Sequence, residues 1–201
     1  MSSSPDTDLG ILLAGTGFSR PYAGAYGLHP SRGMPRHRQR LRVAAAICAI
    51  SLCSTPAQSE KRANGNPAVA SRVAADVVDL TNAERARERR TPLRTNPRLM
   101  RAAQMHAEQM ALAGKLAHVL PKAAYPRPVD RLAAAQYHWR TYGENVALGQ
   151  SSAEQVLHSW MHSRGHRTNI LKPDFTEMGA GYATDRAGRP YYVQVFAGPL
   201  S

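Results

Sequence analysis

The stretch Gly143–Leu171, GENVALGQSSAEQVLHSWMHSRGHRTNIL, constrains this chain more than any other. It packs a Gly-Glu-Asn turn, an amphipathic helix and a Gly-His-Arg segment into one run. Ser151 or Ser152 is a good start for the helix, because a serine hydroxyl can accept from an amide that the first turn leaves without an acceptor. Val156, Trp160 and Ser163 then share one face, with Ala153 and Leu157 at its edge, and the helix is expected to run to about Ser163. That face needs burial, so Trp160 reads as a core anchor. The reactive groups flanking the helix are Glu144 and His166, and a third, His118, lies upstream. Whether these three meet in one cleft decides what chemistry is available.

The rest of the chain supplies helices first and strands last. A first helix is expected from an N-cap at Ser71 to about Arg89, with Val73, Val77 and Leu80 at helical spacing, and Thr91-Pro92 breaks it. Asn96 followed by Pro97 is a strong start for a second helix. Its stripe is Leu99, Ala103, His106, Met110 and Ala113, and Gly114 closes it. Within that stripe His106 reads as a core histidine. Residues 119–128 read as an extended loop and Asp130–Tyr137 as a short helix. Glu177–Thr184 and Pro190–Ala197 read as strands joined by a turn at Asp185–Gly188, the second alternating through Tyr192–Phe196. This order implies an α+β layered domain.

Ahead of the domain, residues 1–33 are Ser-, Gly- and Pro-rich without periodicity, and are expected to be disordered or to lie upstream of the true start at Met34. The basic run Met34–Arg42, the apolar run Val43–Cys53 and the small residues Thr55 and Ala57 have the order of a secretory signal over 34–57. Eleven apolar residues are too few for a stable transmembrane anchor. Residues 58–70 read as a linker and 71–201 as the folded domain. Both cysteines, Cys48 and Cys53, fall inside the apolar run, so its removal leaves no thiol nucleophile, no Cys-ligated zinc and no disulfide. The expected location is secreted or periplasmic.

Several motifs stand in a fixed order: Asn82-x-x-Arg85, Pro92-Leu93, Asn96-x-x-Leu99, Ala102-Ala103-x-x-His106-Ala107, Leu116-Ala117-His118, Gly143-Glu144-Asn145-Val146, Trp160-x-x-Ser163-x-Gly165-His166-Arg167-x-Asn169-Ile170, and Gly179-x-Gly181. Together they resemble the CAP superfamily of cysteine-rich secretory, antigen 5 and pathogenesis-related proteins, in its cysteine-free bacterial secreted form. The resemblance covers about Val77–Phe196. It implies a three-layer α-β-α sandwich with a central cleft lined, in the better-studied members, by two His and two Glu. His118, Glu144 and His166 match three of the four, and Ser163 stands where the second Glu is expected.

His118, Glu144 and His166 can be read as a divalent-metal set, with zinc one candidate, because two imidazoles and a carboxylate leave a position open for water. Without a metal they can serve as general acid and base, or simply pair to fix a cleft wall. Ser163, Asn145 and Arg167 would sit beside the cleft, Ser163 offering a hydroxyl and Arg167 a cation for an anionic ligand. His158, His162 and His166 are spaced by four, but His158 and His162 fall opposite the Trp160 face and Gly165 is expected to end the helix, so the first two read as exposed surface histidines.

The chain carries 26 Lys/Arg against 14 Asp/Glu, a net charge of +12, which favours anionic partners such as a wall polymer or lipid head groups. No Lys/Arg stripe is interleaved with aromatics, so nucleic acid is not an expected partner. A G-x-S-x-G elbow and an H-E-x-x-H helix are also missing. The resulting expectation is a secreted module that binds a divalent metal and an extracellular ligand. A metal-assisted hydrolase of peptide or wall substrates is the alternative, and a lipid- or sterol-binding module, with Leu120 and Tyr125 of the loop over its groove, is a second.

Overall fold

The computed structural model describes residues 66–200. The signal segment 34–57 and the segment 1–33 lie outside the described residues. The elements run α1 (Pro67–Arg87), β1 (Arg94–Thr95), α2 (Pro97–Ala113), α3 (Pro128–Ala134), β2 (Trp139–Leu148), α4 (Ala153–His162), α5 (Arg164–Leu171), β3 (Glu177–Thr184) and β4 (Pro190–Pro199). Most boundaries follow local capping chemistry. The Asn96 side chain accepts from the Arg98 amide at 2.9 Å with Pro97 behind it, and Gly114 ends α2 at φ +62°, the left-handed region where glycine carries no Cβ penalty. Asn66 caps α1 in the same way, so that helix begins at Pro67 and takes in the last four residues assigned to the linker.

The sheet order is β1-β3-β4-β2, with β1 parallel to β3 and the other pairs antiparallel. Helices cover both faces, which makes the α-β-α sandwich. Against one face lie Leu99, Ala103 and Met110 of α2 and Leu132 of α3, packed on Val146, Val193 and Val195. Against the other lie Val77 of α1, Trp160 of α4 and Ile170 of α5, packed on Met178, Tyr192 and Phe196. The Gly179-x-Gly181 pair explains how closely α2 approaches β3. A Cβ on Gly179 would lie 2.2 Å from backbone atoms of Leu99 and Met100, and one on Gly181 would lie 2.4 Å from the Ala103 carbonyl carbon.

The Gly-Glu-Asn segment is not a turn. Glu144 and Asn145 sit mid-strand in β2, opposite Val195 and Gln194. Because neighbouring strand residues point to opposite faces, Glu144 is directed toward α2 and α3, and Asn145 toward α1 and α5. This strand escapes the usual alternation signal because its polar residues are buried on both faces instead of facing water on one. Ser163 also does more than end a helix: α4 stops at His162 and a separate helix, α5, starts at Arg164, so His166 is helical.

Candidate functional site: a buried charge cluster on the edge strand

Glu144 is 1% exposed, and both of its carboxylate oxygens are engaged. His118, in the connection after α2, donates from Nδ1 to Oε1 at 2.9 Å, while Arg131 of α3 donates from Nη2 to Oε2 at 2.7 Å. His106 of α2 is fully buried with Nε2 3.6 Å from Oε1, beyond hydrogen-bond length but close enough for charge to matter. Arg131 also donates to the carbonyls of His118, Tyr125 and Pro126, at 3.1, 3.3 and 3.3 Å. One guanidinium therefore neutralises the acid and holds the loop that carries His118.

The charge states follow from this arrangement. Burial alone would raise the Glu144 pKa, but the positive charge of a protonated His106, the Arg131 guanidinium and the His118 hydrogen bond outweigh it and hold the group down at about 2. His106 moves the other way from most paired histidines. Burial pushes it down to about 4, and the Glu144 carboxylate only partly offsets that. At neutral pH the cluster is an ionised Glu144 facing Arg131⁺, with His106 neutral.

His166 belongs to the other side of the sheet. Its Nδ1 lies 2.8 Å from the Ser163 hydroxyl, and its ring stands 6.3 Å from that of Trp160. It forms no ion pair with Glu144. What joins the two layers is amide chemistry. Asn145 donates to the His166 carbonyl at 3.2 Å and to Gln194 Oε1 at 3.0 Å; Asn169 donates to Asn145 Oδ1 at 2.9 Å and to the Glu144 carbonyl at 3.3 Å. Gln194 continues the chain to the Thr81 hydroxyl of α1 at 2.6 Å.

Of the residues predicted for the site, the structure therefore brings Glu144 and His118 into contact and adds His106 and Arg131. Asn145 is a buried strut whose amide satisfies the His166 carbonyl. Arg167 points away to the surface, where it pairs with Glu88 at 2.7 Å. Leu120 is a core residue, so the loop cannot present it to an apolar groove, although Val119 and Tyr125 are exposed. A groove of about 360 Å³ opens over β3, between α1 and α2, lined by residues such as Ala74, Gln104 and Tyr182, and none of the predicted site residues lines it.

Each Glu144 oxygen already accepts one hydrogen bond, and among the described residues no group of three or more His, Cys, Asp or Glu is arranged to hold an ion. Glu144 stands behind His118 and fixes its tautomer, as outer carboxylates do for ligating histidines. Sequence reasoning passed over Arg131 because any of the chain's cations could neutralise a buried acid, and it read His106 as plain core. The one available signal was His106 interrupting an otherwise apolar stripe.

Comparison with known proteins gives a consistent result. The profile of the cysteine-rich secretory protein family, CAP, matches residues 78–196. The chain is 37% identical over 129 residues to the uncharacterized protein YkwD of Bacillus subtilis, covering 63% of this chain and 49% of that protein. It is 30% identical over 120 residues to the uncharacterized membrane protein YlbC of the same organism, covering 60% of this chain and 33% of that protein. It thus spans half or less of the curated relatives it matches. Among solved structures, an extracellular SCP-domain protein of Bacillus anthracis superposes with a TM-score of 0.58 at 25% identity, over 67% of this chain and 44% of that one. A cysteine-rich secretory protein of Staphylococcus aureus superposes with a TM-score of 0.53 at 21% identity, over 67% of this chain and 42% of that one, and shows the same fold.

Proposed function

This chain belongs to the cysteine-rich secretory protein family, CAP, and on that premise we propose that its domain is an extracellular or envelope binding module. A divalent metal would be held at the open rim of the edge strand β2, reached by the imidazole of His118 from one face and that of His166 from the other, together with a ligand from outside the cytoplasm. The observation that carries this reading is the state of Glu144: buried, ionised and held by Arg131 and His118. A carboxylate with a pKa near 2 is a poor general base at neutral pH, where the best bases titrate near the working pH. Nothing in the geometry favours the hydrolase alternative, since the one candidate carboxylate is committed to holding its neighbours. As an outer partner, Glu144 keeps the proton of His118 on Nδ1, so Nε2 is the nitrogen that would meet a metal. The metal would supply a positive charge to anchor an anionic ligand, consistent with the affinity of a basic protein for anionic surfaces.

An extracellular location is supported by the basic-then-apolar order of residues 34–57 and by the extracellular relative from B. anthracis. No helix among the described residues is long and apolar enough to cross a membrane. The reading is tested by calorimetry with Zn²⁺ on the untagged protein. In a His158→Gln/His162→Gln background, so that the exposed histidines of α4 do not contribute, uptake should vanish on adding His118→Ala/His166→Ala and weaken about 10–100-fold on adding Glu144→Gln, as expected for loss of an orienting partner. Zn²⁺ uptake that ignores His118 and His166 would remove the metal from this cleft.

A further inference from the structure

We infer that His158 and His162 form a surface chelate for a late first-row divalent ion, separate from the Glu144 cluster. The two residues lie one turn apart on α4, where i and i+4 side chains are neighbours. Both are exposed, on the side of the helix away from Val156, Leu157 and Trp160. Their rings stand 4.0 Å apart, centroid to centroid, with planes inclined by 31°.

A second observation comes from the proton on His162. Its Nδ1 lies 2.7 Å from the His158 carbonyl oxygen. A carbonyl oxygen can only accept, so Nδ1 carries the hydrogen and the lone pair of the neutral ring sits on Nε2. Metal-ligating histidines show this same pattern, donating the other ring N–H to a carbonyl or carboxylate, which fixes tautomer and ring orientation. His162 is thereby set in ligand form on a helix that Trp160 anchors, its buried Nε1 donating to the Val146 carbonyl at 3.3 Å. A site on a rigid helix is more precise than one on a loop.

Two imidazoles make a bidentate site and leave the remaining coordination positions to water or to a donor from another molecule. Imidazole suits Zn²⁺, Ni²⁺ and Cu²⁺, and the general affinity order puts Cu²⁺ first. No step here depends on Glu144, His118 or His166, so this site stands or falls independently of the cleft.

The test is Cu²⁺ titration of the untagged full-length chain, read by calorimetry and by electron paramagnetic resonance. The expected result is a site with nitrogen hyperfine coupling from two imidazoles. His158→Gln and His162→Gln should each weaken it by at least about tenfold, comparable with losses seen for ligand-orienting partners. The His118→Ala/His166→Ala variant should keep it. Copper uptake unchanged in both glutamine variants, or lost in the His118→Ala/His166→Ala variant, overturns the inference. The substituted positions are exposed, and unchanged circular dichroism checks that each variant is folded.

Discussion

Two adjacent residues of one strand bury polarity in different ways. Glu144 faces α2 and α3 and is neutralised by a full positive charge. Asn145 faces α1 and α5 and joins an all-neutral amide network that ends at Thr81. The charged side is expensive to disturb and sensitive to pH, because removing one partner strands a buried ion. The neutral side spreads its hydrogen bonds over several partners and carries no net charge. Both fasten helices to the edge strand β2, so the Gly-Glu-Asn motif works as a two-sided rivet.

Arg131→Leu leaves Glu144 buried without its cation, and by analogy with other broken buried pairs it should cost about 3–5 kcal/mol in chemical denaturation. A loss under 1 kcal/mol would mean that Arg131 is dispensable and that the charged side resembles the neutral one.

Acid should separate the two sides next. His106 titrates near 4 in the fold against 6.5 unfolded, so as pH falls from about 6.5 to 4 the unfolded chain gains a proton that the fold refuses. Stability therefore drops across that window, by on the order of 3 kcal/mol at 1.36 kcal/mol per unit. Glu144, depressed from 4.5 to about 2, adds a further loss as pH falls from about 4.5 toward 2, because its contribution is present only while it stays ionised. His106→Phe should flatten the upper part of the curve, from 6.5 to 4. An unchanged profile in that variant would assign the loss elsewhere.

On the neutral side, Asn169→Ala leaves the Asn145 oxygen and the Glu144 carbonyl short of a donor, and should cost about 1–3 kcal/mol. Its pH profile should parallel that of the parent protein; a changed slope between pH 4 and 6.5 would show that the two faces are coupled. The smallest effect is expected at Arg167. Its pair with Glu88 is more than 40% exposed on both sides, so Arg167→Ala should shift stability by about 0.2–1 kcal/mol and leave Zn²⁺ uptake unchanged.

Helices α1 to α4 and the last two strands were legible because their signals are local, whereas α5 was not, because Gly165 reads as a helix end. Asn96-Pro97 and Gly114 mark α2 by their own chemistry, and β4 shows its alternation in Tyr192–Phe196. Strand β2 was hidden because both faces are buried and both carry polar groups. The pairing of His118 with Glu144 was legible through the family motif. Their partners were not, because Arg131 meets Glu144 only through the packing of α3 on the sheet. His166 was read from the same motif order, as the wall across from Glu144, and its helix α5 packs with α1 and α4.

The central claim is that Glu144 is a permanently ionised support and not a titrating acid or base. The direct measurement is a carbon-13 NMR titration of the Glu144 side-chain carboxyl between pH 8 and 4.5. The chemical shift should stay flat throughout, with any change beginning only below that range. A midpoint at or above pH 4.5 would contradict it and return Glu144 to the list of candidate bases.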